Sequence, residues 1–278
     1  MTKLLIIIGP TATGKTKFGV ELAKKYNGEI ISADSRQVYK GLDIITGKDK
    51  GEYGEIPVWG IDLVDPDYSF NVSDFVKYAN SKISEIVSRN KLPIIVGGTA
   101  LYIKALVEPF ETIDVPPDEK LRSKNLSVAD LQKRLGENNL NQSDYQNPRR
   151  LTRAIEAKEA EIRSKEVPKY ESLIISLTAP LEYIYKKIDI RVDERLKNGA
   201  LEEARIFPNS TALGVKEAGD PDLWKLKERQ YAKRQITFIK KFLIGKEVLE
   251  LDVKNEAQKN PSSKRQTEGK IDTFLSRR

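Results

Sequence analysis

A glycine-rich segment at residues 9–16, with the sequence GPTATGKT, directly follows a run of apolar residues at 4–8. Its pattern is that of a phosphate-binding loop, in which glycines allow successive backbone N–H groups to point at phosphate oxygens. Lys15 would add a mobile positive charge and Thr16 a hydroxyl for Mg²⁺. A helical apolar pattern follows, which places a helix N-terminus against the same phosphates. The segment therefore predicts a strand, a phosphate-binding loop and a helix in succession.

The 278-residue chain contains no cysteine and no histidine. Disulfides, thiolate nucleophiles, Cys/His zinc sites and imidazole bases are therefore excluded. Any catalytic base must be a carboxylate, a lysine or a tyrosine. Mg²⁺ is the metal that this composition favours, because it keeps water ligands and takes oxygens from substrate phosphates.

The net charge of +7 is unevenly distributed, because residues 1–110 are almost neutral and residues 111–278 supply +6 of it. A basic second part is typical of proteins with a polyanionic partner, although a Lys-rich soluble surface has the same composition. No apolar run is long enough to span a bilayer, and the chain enters its first strand without room for a signal peptide. We therefore expect a soluble, cytoplasmic protein.

Two further polar motifs follow buried-strand patterns. One strand pattern ends in DSRQ at 34–37 and another in GGT at 97–99. Because the carboxyl ends of parallel strands share one edge of a sheet, we expect the phosphate-binding loop, Asp34 and Thr99 to converge there. Taken singly, Asp34 could be a loop carboxylate or a helix cap, and GGT a tight turn with a threonine cap.

Strand and helix patterns alternate along most of the chain. The strand patterns lie at 4–8, 29–33, 56–64, 92–96, 172–177 and 248–253, and clear helical patterns at 73–90, 182–205 and 221–243. This alternation predicts an α/β fold with a mostly parallel sheet flanked by helices, as in P-loop NTPases.

Domain organisation follows from where the strand patterns stop. Residues 1–110 and 171–252 form the predicted α/β core, and residues 111–170 a helical insertion without buried strands. Within the insertion, Ser127 begins a capping-box pattern and Asn147 precedes a proline, so both predict helix starts. Residues 253–278 are rich in Lys, Asn, Ser and Gln, and we expect a flexible basic tail.

Basic side chains recur on two of the predicted helices. The insertion helix after Asn147 carries Arg149, Arg150 and Arg153, and the helix at 221–243 carries a row of lysines and arginines. Such faces suit a nucleic-acid backbone, and a solvated basic face is the alternative for the insertion helix.

Taken together, the motifs resemble those of the tRNA dimethylallyltransferases, also called tRNA isopentenyltransferases, from about residue 3 to about residue 242. The resemblance rests on GPTATGKT at 9–16, SADSRQVY at 32–39, VGGTALY at 96–102, NPRRLTRAIE at 147–156 and YAKRQITF at 231–238. It implies transfer of a dimethylallyl group from dimethylallyl diphosphate to N6 of the adenosine next to the anticodon, with release of diphosphate. Val215 and Phe238 depart from the family pattern, which usually has Tyr and Trp there.

The resemblance also implies roles for individual residues. Asp34 would be the general base, with Thr99 beside it and Arg191 as a further diphosphate contact. The diphosphate substrate would be held by Gly9, Thr11, Ala12, Thr13, Gly14, Lys15 and Thr16, with Mg²⁺ on Thr16. The tRNA would be contacted by Asp34, Ser35, Arg36, Gln37, Arg149, Arg150, Thr152, Arg153, Lys216, Lys233, Arg234 and Gln235.

Other functions remain open on the sequence alone. A phosphate-binding loop by itself indicates ATP or GTP binding. The nearest alternative is an adenylate isopentenyltransferase that uses free AMP, ADP or ATP. A P-loop kinase of a small metabolite would use Asp34 as base on a hydroxyl, and a nucleotide-dependent RNA-binding switch would catalyse nothing. We expect a monomer in each case.

Overall fold

A six-stranded sheet with every neighbouring pair of strands parallel lies at the centre of the fold. A computed structural model describes residues 1–109, 115–138, 140–160, 170–254 and 261–277. The chain divides into two compact units, one of Met1–Val107 with Lys169–Arg278 and one of Glu108–Pro168. The predicted α/β class with a mostly parallel sheet is confirmed.

The strands run in the order β3-β2-β4-β1-β5-β6 across the sheet. They are β1 (Thr2–Ile8), β2 (Gly28–Ser32), β3 (Val58–Trp59), β4 (Leu92–Gly97), β5 (Tyr170–Thr178) and β6 (Val248–Asp252). β1 pairs with β4 on one side and β5 on the other, so both its edges are hydrogen-bonded. Helices cover both faces of such a sheet, and the side chains at 4–8 are accordingly fully buried.

Twelve helices lie within the described residues. They are α1 (Lys15–Lys25), α2 (Asp43–Thr46), α3 (Val72–Ser88), α4 (Ala100–Val107), α5 (Glu119–Ser123), α6 (Val128–Leu135), α7 (Gln142–Tyr145), α8 (Pro148–Glu159), α9 (Leu181–Lys197), α10 (Ala200–Ile206), α11 (Pro221–Leu243) and α12 (Pro261–Ser276). None of them combines the length and apolar character needed to cross a bilayer. A 3-10 turn at Lys50–Tyr53 joins α2 to β3.

The order of the strands brings three sequence motifs to one edge of the sheet. β2, β4 and β1 are adjacent, and their carboxyl ends lead into Asp34, the GGT segment at 97–99 and the phosphate-binding loop. Ligands of open α/β sheets bind at this edge. The sheet therefore builds one site from residues that lie far apart in the sequence.

Two elements differ from the sequence patterns. The pattern at 56–64 yields only the short strand β3 and an isolated bridge between Tyr39 and Val64. Gly60 and Asp62 in between have left-handed backbones, which interrupt a strand. The pattern at 182–205 is two helices, because Gly199 has φ 100° between α9 and α10.

The smaller unit has its own apolar core. Its buried residues are Leu121, Leu131, Leu135, Leu151 and Ile155. Ser127 caps α6 through the backbone N–H of Asp130, and the Asn147 side chain accepts from the first backbone N–H groups of α8. Both predicted helix starts are therefore confirmed, and the unit overlaps the predicted insertion at 111–170.

The expected flexible tail at 253–278 is wrong for its second half, since residues 261–276 form α12. Ile271 and Phe274 are buried in the main core cluster. Glu268 pairs with Lys25 at 2.6 Å, and Lys3 Nζ donates to the Leu275 carbonyl at 2.8 Å. A few apolar residues at helical spacing outweigh the polar composition of this segment. Residues 255–260 lie outside the described part of the chain.

Replacing Phe274 with alanine should lower the free energy of unfolding by about 3 kcal/mol, because a buried aromatic ring leaves a cavity in the core. Urea denaturation followed by circular dichroism measures this. Thr273→Ala is the matched control on the exposed side of α12 and should change stability by less than about 0.5 kcal/mol. Equal stabilities of the two variants would mean that α12 does not pack on the core.

Candidate active site

The phosphate-binding loop has the backbone shape that its sequence predicts. Gly14 adopts a left-handed conformation at φ 75° and forms the N-cap of α1, where a side chain would be strained. The Thr13 hydroxyl and the Lys15 ammonium both donate to the Pro10 carbonyl, at 2.8 and 2.7 Å. The first backbone N–H groups of α1 have no acceptor within the helix, so the end of the loop is a place where an anion is favoured.

A cavity of about 50 Å³ lies beside this loop at the carboxyl edge of the sheet. It is lined by Thr11, Lys15, Thr16, Ser32, Asp34, Arg36, Gln37, Thr46, Gly47, Tyr53, Val96, Gly97, Arg191 and Gln235. Of the predicted loop residues, Thr11, Lys15 and Thr16 thus share one cavity with Asp34 and Arg191, whereas Gly9, Ala12, Thr13, Gly14 and Thr99 are not among its lining residues. Lysine and arginine are the prevailing charges in its lining, so its chemistry suits a phosphate-bearing anion.

Asp34 is held in place by its own loop. Its Oδ1 accepts the backbone N–H of Arg36 at 2.9 Å, and the Arg36 Nε lies 3.9 Å from the same oxygen. The Thr99 hydroxyl accepts the backbone N–H of Ser35 at 3.0 Å and lies 3.3 Å from the Ser35 hydroxyl. The structure therefore places Thr99 directly beside the loop that carries Asp34, as the strand pattern predicts.

A glycine makes this close approach of two loops possible. A Cβ atom built on Gly97 would lie 2.1 Å from the Ala33 carbonyl oxygen. The Thr99 backbone N–H donates to that same carbonyl at 3.1 Å. Because any side chain at 97 would push β4 away from β2, the glycine fixes the distance between Thr99 and Asp34.

Lys15 is the cation at the base of the cavity. Burial lowers the pKa of its ammonium to about 8, Asp34 opposes this shift, and the nearby Arg191 and Arg36 reinforce it. Several positive charges therefore meet in a small, poorly hydrated volume. A bound anion would relieve their mutual repulsion.

Arg191 reaches the cavity from α9. Its Nη2 lies 2.5 Å from the Asp49 carboxylate and 3.4 Å from the Gly47 carbonyl. A Cβ on Gly47 would come within 2.1 Å of the Arg195 guanidinium and 2.8 Å of that of Arg191. Glycine at 47 is therefore what lets both arginines pack over this turn.

Several residues of the site lie outside the sequence motifs or have no role predicted from them. Tyr53 lines the cavity beside Thr16. Burial raises the pKa of the Tyr53 hydroxyl to about 12, although a hydrogen bond with the Thr16 side chain acts in the opposite direction. Glu228 and Tyr231 on α11 face Arg36, with the Glu228 carboxylate 2.9 Å from the guanidinium and the Tyr231 ring centre 4.5 Å from it. Their signal was helical spacing with the buried Trp224, Ala232 and Ile239, which marks an inward face despite the polar residues.

Three residues expected to contact tRNA lie in the interior instead of on the surface. Gln235 accepts the Thr11 backbone N–H at 2.9 Å and donates to the Gly98 carbonyl at 3.1 Å. Gln37 accepts from the Ser32 hydroxyl and donates to the Gly47 carbonyl. Arg36 is 8% exposed. Their hydrogen bonds hold together the loops around the cavity.

The other expected tRNA contacts are more accessible. Lys216, Lys233 and Arg234 are exposed in the larger unit. In the smaller unit, Arg149 and Arg150 are exposed on α8, and Arg150 also pairs with Asp144. Thr152 donates to the Pro148 carbonyl at 2.9 Å, and Arg153 pairs with Glu156 at 2.8 Å.

The sequence matches the profile of the family described as IPP transferase over residues 37–242, and that described as isopentenyl transferase over residues 2–53. tRNA dimethylallyltransferase 2 of Treponema denticola is 44% identical over 212 residues, which cover 72% of this chain and 71% of that protein. The chain belongs to the IPP transferase family. It is an enzyme of the prenyltransferase class by this membership.

Solved structures agree with this assignment to the IPP transferase family. The full-length tRNA isopentenylpyrophosphate transferase of Bacillus halodurans superposes with a TM-score of 0.67 at 33% identity, covering 91% of this chain and 90% of its own. A eukaryotic dimethylallyltransferase acting on tRNA has a TM-score of 0.76 at 24% identity, covering 99% and 80%. The latter shows the common fold.

The affinity for inorganic diphosphate should fall about tenfold between pH 7 and pH 9, because Lys15 loses its proton as the pH rises through about 8. Calorimetric titration of the purified protein measures this. Diphosphate itself gains and loses protons in this range, so Lys15→Met is the reference. This variant should bind diphosphate weakly at every pH and should show only the pH dependence that comes from the ligand.

Lys17→Met removes an exposed lysine from the same helix and should keep the full pH dependence. Parallel pH courses for the wild type and Lys15→Met would show that Lys15 does not hold the anion.

Proposed function

We propose that this chain transfers a dimethylallyl group from dimethylallyl diphosphate to N6 of the adenosine next to the anticodon of a tRNA, and releases diphosphate. The observation that carries this proposal is the cavity in which Asp34 faces the phosphate-binding loop and Arg191. One end offers cations for a diphosphate, and the other offers a carboxylate for a nucleophile's proton. In prenyl transfer the diphosphate is the leaving group and the carboxylate takes the proton of the nucleophile, so both ends of the cavity have a part.

The leaving group would be held by the loop at 9–16, with Lys15 and Arg191 as its charged contacts. As the bond between C1 of the prenyl group and the diphosphate oxygen breaks, negative charge grows on that oxygen. Preorganised cations and N–H groups stabilise such charge far more in a buried cavity than in water. This use of the loop differs from nucleotide hydrolysis, because no phosphorus centre is attacked.

The nucleophile would be the exocyclic amine of adenine, whose lone pair is delocalised into the ring. The new bond forms between N6 and C1, and the surplus proton on N6 passes to the Asp34 carboxylate. The Thr99 hydroxyl accepts the backbone N–H of Ser35, the residue that follows Asp34, and would help to hold the amine. With no histidine in the chain, a carboxylate is the natural base.

Mg²⁺ fits the residues at the loop, and we propose Thr16 as its protein ligand. The Thr16 hydroxyl and the Asp34 carboxylate both line the cavity, and both are hard oxygen donors. Within the described ranges, no three carboxylates gather as a metal site, so phosphate oxygens and water would complete the coordination. When bound, Mg²⁺ would neutralise charge on the diphosphate.

The tRNA would be bound by the exposed basic side chains, among them Lys233 and Arg234 on α11 and Arg149 and Arg150 on α8. A stacked adenine cannot reach a buried carboxylate, so the target base must leave the stack. The chain would act as a monomer in the cytoplasm, where tRNA is the accessible polyanion.

Incubation with labelled dimethylallyl diphosphate and either tRNA or AMP tests the acceptor. We expect label in tRNA and none in AMP, because the exposed basic residues of α8 and α11 favour a polyanion. Transfer only to AMP would support an adenylate isopentenyltransferase, and no transfer to either would refute prenyl transfer.

Asp34→Asn should lower the rate of transfer to tRNA about 100-fold or more, because an amide cannot take up the proton from N6. The amide oxygen can still accept from the Arg36 N–H, so the loop should keep its shape. Diphosphate should bind at least as tightly, since a nearby negative charge is removed. Single-turnover kinetics and calorimetry measure the two effects.

Asp67→Asn, at an exposed position, is the control and should be as active as the wild type. Normal turnover of Asp34→Asn would remove Asp34 as the base.

A further inference from the structure

A buried carboxylate lies behind the catalytic loop and takes no part in the chemistry proposed above. Glu228 on α11 is 2% exposed. Its Oε1 accepts from Arg36 Nη1 at 2.9 Å and from Arg195 Nη1 at 3.4 Å. Burial raises the pKa of Glu228, but Arg36 and Arg195 outweigh this and hold the pKa below its usual range. Glu228 is therefore an anion between two buried cations.

Arg36 lies between two carboxylates, Glu228 and Asp34. Its Nη1 bonds to Glu228, whereas its Nε lies 3.9 Å from the Asp34 Oδ1, beyond hydrogen-bond distance. Within the described residues this Nε has no hydrogen-bond partner. The guanidinium is thus hydrogen-bonded to Glu228, whereas Asp34 lies at the outer limit of ion-pair distance.

The side chain of Arg36 cannot escape to water, because it packs on the Tyr231 ring at 4.5 Å and is almost fully buried. A buried cation left without its anion is strongly destabilising, and the next carboxylate within reach of Arg36 is Asp34. A full ion pair there would add a second donor to the Asp34 Oδ1, which already accepts the Arg36 backbone N–H. It would make this carboxylate a weaker base for the proton of the amine.

We propose that Glu228 is a positioning residue for prenyl transfer, which keeps Arg36 away from Asp34 and so leaves that carboxylate free to act as base. This inference rests on the proposed function, since it assigns Glu228 a part in the same reaction. Glu228 touches neither the diphosphate nor the acceptor. Its effect passes through the guanidinium of Arg36.

The test is Glu228→Gln, which keeps the size of the side chain and removes its charge. We expect the turnover number for transfer to tRNA to fall about 10- to 100-fold, because an Asp34 carboxylate paired with Arg36 takes up the proton less readily. The KM for dimethylallyl diphosphate should stay within about twofold, because the ground-state contacts of the diphosphate are unchanged.

Removing the cation as well should rescue the variant. In Glu228→Gln combined with Arg36→Met, no guanidinium remains to pair with Asp34, and methionine still packs on Tyr231. We expect the double variant to turn over faster than Glu228→Gln and as fast as Arg36→Met alone. Because the two side chains are in contact, a purely structural role also predicts that the two losses do not add. It differs in raising the KM for dimethylallyl diphosphate together with the loss of turnover.

Asp222→Asn removes one carboxylate from the exposed start of the same helix and is the matched control, expected to have wild-type kinetics. If Glu228→Gln does not fold, the turnover numbers of Arg36→Met and of the double variant still test the proposal, which expects them to be equal. A wild-type turnover number in Glu228→Gln, or a further loss on adding it to Arg36→Met, would overturn the proposal. Absence of transfer by the wild type would instead refute the proposed function.

Discussion

Mutual repulsion among closely spaced cations, buried or partly buried, is the constraint on which this site depends. Lys15, Arg36, Arg191 and Arg195 lie close enough for their charges to act on one another. Such a cluster favours a bound anion, and without any counter-ion it would destabilise the fold. Carboxylates placed on separate elements, Glu228 on α11 and Asp49 before the 3-10 turn, compensate the charge. The architecture of the site is largely the arrangement of these counter-ions.

α11 contacts both the buried arginines and the three motif loops. Along its inward face, Glu228 binds Arg36 next to Asp34, and Gln235 binds the loop at Thr11 and the GGT segment at Gly98. One rigid helix thereby sets the relative positions of all three motif loops. The outward face of the same helix carries Lys233 and Arg234. Rigid secondary structure under mobile loops is how folds hold catalytic groups in register.

The sequence predicted the parts of the site that local patterns determine. Asp34 and Thr99 could be found because each follows a strand pattern, and parallel strands end at a common edge. Burial of polar residues could not be found in this way, because Arg36, Gln37 and Gln235 resemble surface residues until their partners are known. Those partners are distant in the chain, as with Gln235 and Thr11. The C-terminal helix was missed since composition concealed the spacing of Ile271 and Phe274.

The pair of Arg191 and Asp49 has a consequence for how a diphosphate enters. Arg191 already has an anionic partner, which is half exposed and sits on a left-handed backbone at φ 41°. If Arg191 binds the diphosphate as proposed, the incoming anion would exchange with a resident carboxylate instead of meeting an unpaired cation. Asp49 could pair with Arg191 again as the product leaves. Binding and release would then be two directions of one anion exchange, and the product would compete with a carboxylate of the protein itself.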